Sequence, residues 1–501
     1  MTPTRYSYYG DDFTGSTDVL EALATAGLRS VLFLGLPSDQ HCKQFADCEA
    51  IGIAGDSRSR SPEWMNAHLP GIFERLRSFG AQVVHYKTCS TFDSSPQTGS
   101  IGRALEIGQR VLEPAFVPIV VAAPHLRRYV VFGNLFAAAA DQIYRIDRHP
   151  TMRQHPVTPM HEADLRRHLA QQTQTRIGLV DLLSLQSGCA KQSLSAQLAA
   201  DMQAVLFDGI SDGDLKETGR LVWEAAQDQP VFAVGSSGVA YSLVSAWQAE
   251  GVLTLTPEPG AHTSTAPGDR ASTGPSEPER LLVISGSCSP VTERQIKHAL
   301  ANGYAGVEIN PATILADDAN APHRLLPAKT DDLSAPHRPL PAKADRSPPP
   351  RSGFSAAVRA GVEKAIVALD GNGKVVVYSS LGSLPPGVSA RGDALGRQLG
   401  EMLREIIRAS GVRRVVLAGG DTSSHAVAQL GIYALTWSAA IQPGAPLCRA
   451  HSDSPELDGL ELVLKGGQVG TDDFFEQART VRLAPAAASP PGPDRGSKAK
   501  P

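Results

Sequence analysis

The chain alternates short apolar runs with amphipathic stretches, and the alternation occurs in two blocks separated by a segment that cannot pack. In the first block the apolar runs are residues 30–36, 50–54, 82–86, 117–122, 177–181 and 204–207. Each is short and mostly apolar, and most contain Val or Ile, as expected of buried strands. Helical patterns lie between several of them, at 18–26, 64–79, 162–172 and 194–202. Strands that alternate with helices predict a mostly parallel sheet covered by helices. Residues 257–278 are rich in Pro, Gly, Ser and Thr and hold no large apolar residue, which marks a linker. A second α/β block follows, with strands predicted at 281–284, 375–378 and 414–417 and helices at 354–369 and 392–409. The expected fold is therefore α/β: two domains with mostly parallel sheets and an active site in the cleft between them. The domains are 1–255 and 280–484, joined by a flexible linker at 256–279. At 501 residues the chain is too long for one core, which agrees with this division.

Two further segments stand apart. Ala-Pro-His-Arg-Leu-Leu-Pro-Ala-Lys at 321–329 recurs almost unchanged at 335–343, inside a Pro-rich stretch from about 317 to 352. Such a composition buries no core and predicts a disordered insertion. The tail 485–501 reads the same way.

A net charge of −4 leaves no basic footprint, so nucleic acid is not an expected partner. No apolar run reaches the length of a membrane span, and the N-terminus lacks a signal peptide's pattern, so a cytoplasmic enzyme with no membrane partner is expected. The six cysteines, at 42, 48, 89, 189, 288 and 448, form no C-x-x-C pair. His149, His155, His161 and His168 lack a ligand spacing and read as solvated or capping residues, so no protein metal site is expected.

The residues that carry chemistry cluster at predicted strand ends, where open α/β sheets bind ligands. Tyr9-Gly10-Asp11-Asp12-Phe13-Thr14-Gly15-Ser16 puts two carboxylates after the first strand. A pair of acids there can orient a hydroxyl and take its proton, or simply cap a turn. Gly55-Asp56-Ser57-Arg58-Ser59, Lys87 with Ser90 and Thr91, Arg127 with Arg128, and Gly235-Ser236-Ser237-Gly238 end other strands of the same domain. The basic residues among them suit a carboxylate or phosphate. The second domain has three small-residue turns: Ser285-Gly286-Ser287-Cys288-Ser289-Pro290, Ala418-Gly419-Gly420-Asp421-Thr422, and Lys465-Gly466-Gly467-Gln468-Val469-Gly470. Free backbone N–H groups in such turns face anions. None is a Walker P-loop or a G-x-G-x-x-G fingerprint.

Taken in order, these motifs resemble those of the four-carbon acid sugar kinases. Gly10 to Gly15 is similar to the opening A-D-D-x-T-G of that family, with Gly10 for Ala. Gly286-Ser287-Cys288-Ser289-Pro290-Val291-Thr292 resembles G-S-x-S-x-x-T, and Gly419-Gly420-Asp421-Thr422 resembles G-G-[DE]-T. Pro443-Gly444-Ala445-Pro446 and Lys465 to Gly470 resemble the late P-G-x-P and K-x-G-x-x-G motifs. The resemblance implies a sugar-acid-binding N-terminal domain, a nucleotide-binding C-terminal domain, and ATP-dependent phosphorylation of a hydroxyl on a small acid sugar. It places ATP at Ser285, Gly286, Ser287, the 419–422 turn and Gly467, with Mg²⁺ as the companion cation and Asp421 near it through water. Asp12 is the expected base, supported by Asp11. The substrate falls to Arg58, Lys87, Ser90, Thr91, Arg127 and Arg128, and a homodimer is left open.

One segment departs from the family's K-x-D-S-T-L-R-G. Here it is Lys87-Thr88-Cys89-Ser90-Thr91-Phe92-Asp93-Ser94, with Asp93 where a cation is expected. An anion facing an acid substrate there would cost about 1–3 kcal/mol if partly buried. The acid group is then expected on Arg58, Arg127 or Arg128, and the chain resembles branches acting on branched or oxidised acids, such as 3-oxo-isoapionate kinases. A non-catalytic sugar-acid sensor on the same fold is the alternative, followed by an NAD-dependent dehydrogenase.

Overall fold

The computed structural model describes residues 4–139, 141–155, 157–253, 280–313, 354, 356–381 and 392–483. The linker 256–279, the insertion 317–352 and the tail 485–501 expected from sequence lie outside these residues.

In the first half the strands are β1 (Tyr6–Gly10), β2 (Ser30–Phe33), β3 (Ala50–Ala54), β4 (Val83–Lys87), β5 (Val117–Val120), β6 (Arg128–Val131), β7 (Asn134–Ala139), β8 (Gln142–Arg145), β9 (Ile177–Val180), β10 (Ala204–Phe207) and β11 (Val231–Gly235). In the second they are β12 (Leu281–Ser285), β13 (Ala305–Glu308), β14 (Lys374–Tyr378), β15 (Arg414–Ala418), β16 (Ile432–Gln442), β17 (Ala445–Ser452) and β18 (Glu461–Lys465). Every residue of β1, β3, β4, β11, β12 and β15 is buried, as both faces of a helix-covered parallel sheet require.

The two halves are joined more intimately than the sequence suggests. One sheet runs β13-β14-β12-β15-β18-β17-β16-β2-β3-β1-β4-β11-β5-β10-β9 through both. The parallel strands of each half meet through the antiparallel hairpin β16–β17, whose outer strands pair with β2 and β18. Neither this hairpin nor the separate antiparallel sheet β6-β7-β8 was anticipated. Both are held together by tertiary context and lack the βα alternation that made the other strands visible.

The first helix, α1 (Phe13–Thr25), begins five residues before the periodic stretch 18–26. The reason is its cap: Asp12 is extended (φ −144°) and its side chain accepts the N–H of Gly15. Helix α1 packs on β16, β17 and the helix α2 (Gly420–Ala428) of the other half. At its middle, Glu21 Oε2 accepts the N–H of Gly444, 2.8 Å away, in the turn that closes the β16–β17 hairpin. Gly444 sits at φ 79°, a conformation a side chain rarely adopts. The Pro443-Gly444-Ala445-Pro446 motif is thus a turn that clasps one half to the other.

Strand order also places the ligand crevices. In the first half β1 lies between β3 and β4, so the connection after β1 leaves toward β2 while the one after β4 leaves toward β5. In the second half β12 lies between β14 and β15. These are topological switch points, where the loops diverge and leave room for a ligand.

Candidate active site

The registers align the carboxyl ends of the strands. Gly10 pairs with Ala54 and Lys87, and Lys87 pairs with Gly235. The loops that follow, 11–12, 55–59, 88–94 and 236–237, therefore leave one edge of the sheet together. In the second half Ser285 pairs with Ala418, and Ala418 with Lys465, which aligns the turns at 286–289, 419–420 and 466–467. Three antiparallel pairings, β2–β16, β16–β17 and β17–β18, lie between the halves, so in a flat sheet the two loop sets would leave opposite edges, six interstrand steps or roughly 30 Å apart sideways. Instead the two loop sets meet: a Cβ built on Gly420 would lie 3.7 Å from Thr14 Oγ1. The accumulated twist and coil of the sheet bring them together.

Asp12 and Asp11 have different surroundings. Asp12 Oδ1 accepts the Gly15 N–H at 2.7 Å, and Oδ2 lies 3.3 Å from Thr14 Oγ1 and 3.4 Å from Arg58 Nη1. About a fifth of its side chain (21%) is exposed. Asp11 is 4% exposed, and its Oδ1 is buried with no hydrogen-bond partner. Burial first, and the Asp12 charge second, push the Asp11 carboxyl up to about 7, against the pull of Arg58 and Lys87. Environments this different for neighbouring carboxyls are typical of acid–base sites.

Lys87 closes the far side of this pair. It is the last residue of β4, is 2% exposed, and its carbonyl accepts the Asp11 N–H at 2.9 Å. Its Nζ lies 2.5 Å from where a Cβ on Gly15 would stand, and that Cβ would also overlap Asp12 Oδ1. Gly15 therefore leaves the space in which the ammonium approaches the carboxylate. Gly10, where the family motif has Ala, is explained similarly. A Cβ there would collide with Ser16 Oγ, which instead donates to the Asp12 carbonyl at 2.6 Å.

Arg58 reaches Asp12 with Nη1 and both oxygens of Asp93 with Nη2, each at 2.9 Å. Asp93 is thus no bare anion facing a substrate, as the sequence suggested; its side chain is fully buried (0% exposed) on Arg58. Thr91 Oγ1 donates to it at 2.5 Å and Thr158 Oγ1 at 2.8 Å. Burial would raise the Asp93 carboxyl, but Arg58, the Thr91 hydroxyl, the nearby His155 and the Thr158 hydroxyl outweigh it and hold it at about 2. Ser90 is half-buried on the same loop.

Arg127 and Arg128 differ. Arg127 is exposed and has a left-handed backbone (φ 57°). Arg128 donates through Nη1 to the carbonyls of Leu126 and Arg127, and its Nε is buried without an acceptor. Among the described residues no carboxylate forms an ion pair with it. Burial lowers its pKa, and the nearby Cys89 partly offsets that.

In the second half, Ser285 is buried and its Oγ accepts the Ser287 N–H at 3.4 Å, while Gly286 and Ser287 are half-buried. Gly467 packs against this turn, so that a Cβ on it would lie 3.0 Å from Ser287 Oγ. Gly419 has φ 116° and is the N-cap of α2, where no described side chain caps the helix. Helix N-termini of this kind can bind anions. Asp421 and Thr422 lie in that first turn; their side chains are outside the described atoms. Among the described residues no cluster of three or more His, Cys, Asp or Glu could hold a metal. His149 caps a turn, accepting the N–H groups of Thr151 and Met152, whereas His168 is buried rather than solvated. None of the six cysteines is in a disulfide.

Sequence reasoning passed over Lys465. It is fully buried at the end of β18, where Nζ donates to Thr292 Oγ1 at 3.2 Å and to the Gly466 carbonyl at 2.9 Å. Thr292 Oγ1 in turn donates to the Gly467 carbonyl at 3.0 Å. Burial lowers the Lys465 ammonium to about 7. The lysine thus fastens the Gly466-Gly467 turn to the helix after Ser289. Its place at the head of K-x-G-x-x-G was the available signal.

Comparison with known proteins identifies the family. Residues 6–243 match the family of sugar-binding N-terminal domains, and residues 282–475 the family of nucleotide-binding C-terminal domains. The chain is 42% identical to a 3-oxo-isoapionate kinase of Paraburkholderia graminis, over 96% of this chain and 95% of that one. It is 30% identical to a 3-oxo-tetronate kinase of Pseudomonas savastanoi pv. phaseolicola, over 95% and 97%. A crystal structure of a Salmonella typhimurium LT2 protein, 21% identical, shares the fold with a TM-score of 0.67 over 95% of this chain and 98% of that one. Matched along both halves, the chain belongs to the four-carbon acid sugar kinase family and is an ATP-dependent carbohydrate kinase.

Proposed function

We propose that this kinase phosphorylates a hydroxyl of a branched 3-oxo acid sugar, with 3-oxo-isoapionate as the leading substrate. The observation that carries the reading is the approach of Thr14, beside the acid pair, to Gly420 at the start of α2. A hydroxyl held at Asp12 and a phosphate held at α2 would then face each other. The choice of acid rests on the 42% identity to the 3-oxo-isoapionate kinase against 30% to the 3-oxo-tetronate kinase.

In this reading residues 1–255 bind the acid sugar and 280–484 bind ATP. Asp12 takes the proton of the accepting hydroxyl as its oxygen bonds to the γ-phosphorus and the bond to ADP breaks. The Gly15 N–H and Arg58 orient its carboxylate. Asp11, buried and holding its proton near neutrality, limits the negative charge beside the incoming phosphate. Lys87 supplies the compensating cation. Arg128 anchors the substrate's acid group, because Arg58 is already engaged by Asp93 and Asp12 whereas Arg128 has no carboxylate partner among the described residues. Ser90, Thr91 and Arg127 complete the substrate side, and Ser285, Gly286, Ser287, Gly419, Gly420, Asp421, Thr422 and Gly467 the nucleotide side. Bound Mg²⁺ would supply charge neutralisation on the phosphates. That cation would be held largely by ATP and water, with Asp421 in the turn beside it.

A coupled ADP-release assay over four- and five-carbon acid sugars and their 3-oxo forms tests the reading. Turnover on a 3-oxo acid, lost in Asp12→Ala with the circular dichroism and melting curve kept, is the expected result. Wild-type turnover by Asp12→Ala, or no ADP release on any acid of the panel, would overturn it.

A further inference from the structure

The side chain of Asp93 is fully buried, and it touches the site only through another residue. Both of its oxygens lie 2.9 Å from Arg58 Nη2, while Arg58 Nη1 reaches toward Asp12 Oδ2 at 3.4 Å. One guanidinium therefore spans two carboxylates from separate loops. Asp93 is itself fixed from two sides, by Thr91 on its own loop and by Thr158, sixty-five residues away in sequence. The residue before it, Phe92, is buried and held at φ 56°, unusual for an aromatic residue. That turn aims the Asp93 side chain inward, toward Arg58. The pairing also removes the electrostatic objection that Asp93 raised: its charge is balanced before any substrate arrives.

We propose that Asp93 is a positioning residue. It locks Arg58 so that the guanidinium orients Asp12 toward the accepting hydroxyl, and it keeps Arg58 from serving as the anchor of the substrate's acid group. The inference rests on the reading of Asp12 as the base. An anion at position 93 is in this light a structural counterpart of Arg58, and the binding of the acid group passes to a different cation.

Steady-state kinetics on Asp93→Asn, Arg58→Lys, their double variant and Asp12→Asn test it. Asparagine keeps the size of Asp93 and removes its charge; lysine keeps the charge of Arg58 but cannot span two carboxylates. Asp93→Asn and Arg58→Lys should each lower kcat roughly 10- to 100-fold, as misplacement of a reacting group does, with KM for the acid sugar within about threefold of wild type. The double variant should lose little more than either single one, because both changes break the same link. Asp93→Glu, which restores the charge, should recover part of kcat. Wild-type kcat in Asp93→Asn, or a raised KM with kcat unchanged, would overturn the proposal, the second by making Asp93 a substrate contact. If Asp93→Asn does not fold, Arg58→Lys alone decides by the same split in kcat and KM. An active Asp12→Asn would instead refute the base assignment, whatever the Asp93 variants do.

Discussion

Replacing Asp11 with Asn should make the protein relatively more stable as pH rises. In the native protein the Asp11 carboxyl is pushed from 3.8 up to about 7, by burial first and by Asp12 second. Over the window from about pH 4 to 7 the folded chain keeps this proton and the unfolded chain releases it. The native state then binds more protons than the unfolded state, so stability falls as pH rises through the window. A shift of about three units corresponds to roughly 4 kcal/mol, of which the two units between pH 5 and 7 carry about 3 kcal/mol. Asn does not titrate, so the variant escapes that fall. Other buried acids, such as Glu21, pushed up to about 8 mainly by burial, titrate alike in both proteins and cancel in the comparison. Urea unfolding of both proteins, followed by tryptophan fluorescence at pH 5 and pH 8, gives the difference directly. The stability of Asp11→Asn relative to wild type should rise by about 2–3 kcal/mol between the two pH values. A relative stability that is flat with pH, or that falls, would refute the argument that Asp11 is a buried, proton-holding acid.

Three further outcomes follow from the packing of the site. Gly15→Ala should cut kcat roughly 10- to 100-fold, since its methyl would overlap Asp12 Oδ1 and press on Lys87 Nζ. Its melting temperature should hold, because Ala favours a helix over Gly by about 1 kcal/mol; a wild-type kcat would count against the packing argument. Gly467→Ala should raise KM for ATP roughly tenfold, the equivalent of about 1.4 kcal/mol, by pushing on Ser287 and Ser289, with the KM for the acid sugar unchanged. Lys465→Met should also weaken ATP binding, read by nucleotide titration, because the Gly466-Gly467 turn loses its tie to Thr292. In the wild type the Lys465 ammonium, lowered by burial to about 7, makes stability rise between about pH 7 and 10; that rise should be missing from the variant.

The sequence by itself determined the alternating architecture and the turns that carry the chemistry. Runs such as Leu281 to Ser285 are apolar enough to be buried on both faces, and small residues follow them at the strand ends. These are local properties, visible in period and composition. The start of α1 was misjudged because Asp12 caps it, and a cap has no hydrophobic period. The β16–β17 hairpin that fuses the two sheets, and the Gly444 clasp on Glu21, depend on contacts between residues more than four hundred positions apart. No local pattern encodes such contacts. The same holds for electrostatics at the site. Read along the chain, Asp93 was an anion where a cation was expected. In the folded protein it is neutralised by Arg58, brought in on the loop after a different strand, while Arg128 keeps a charge with no carboxylate beside it among the described residues. The residues are present in the sequence; which charge faces which is decided only by the register of the strands and the twist of the sheet that bring their loops together.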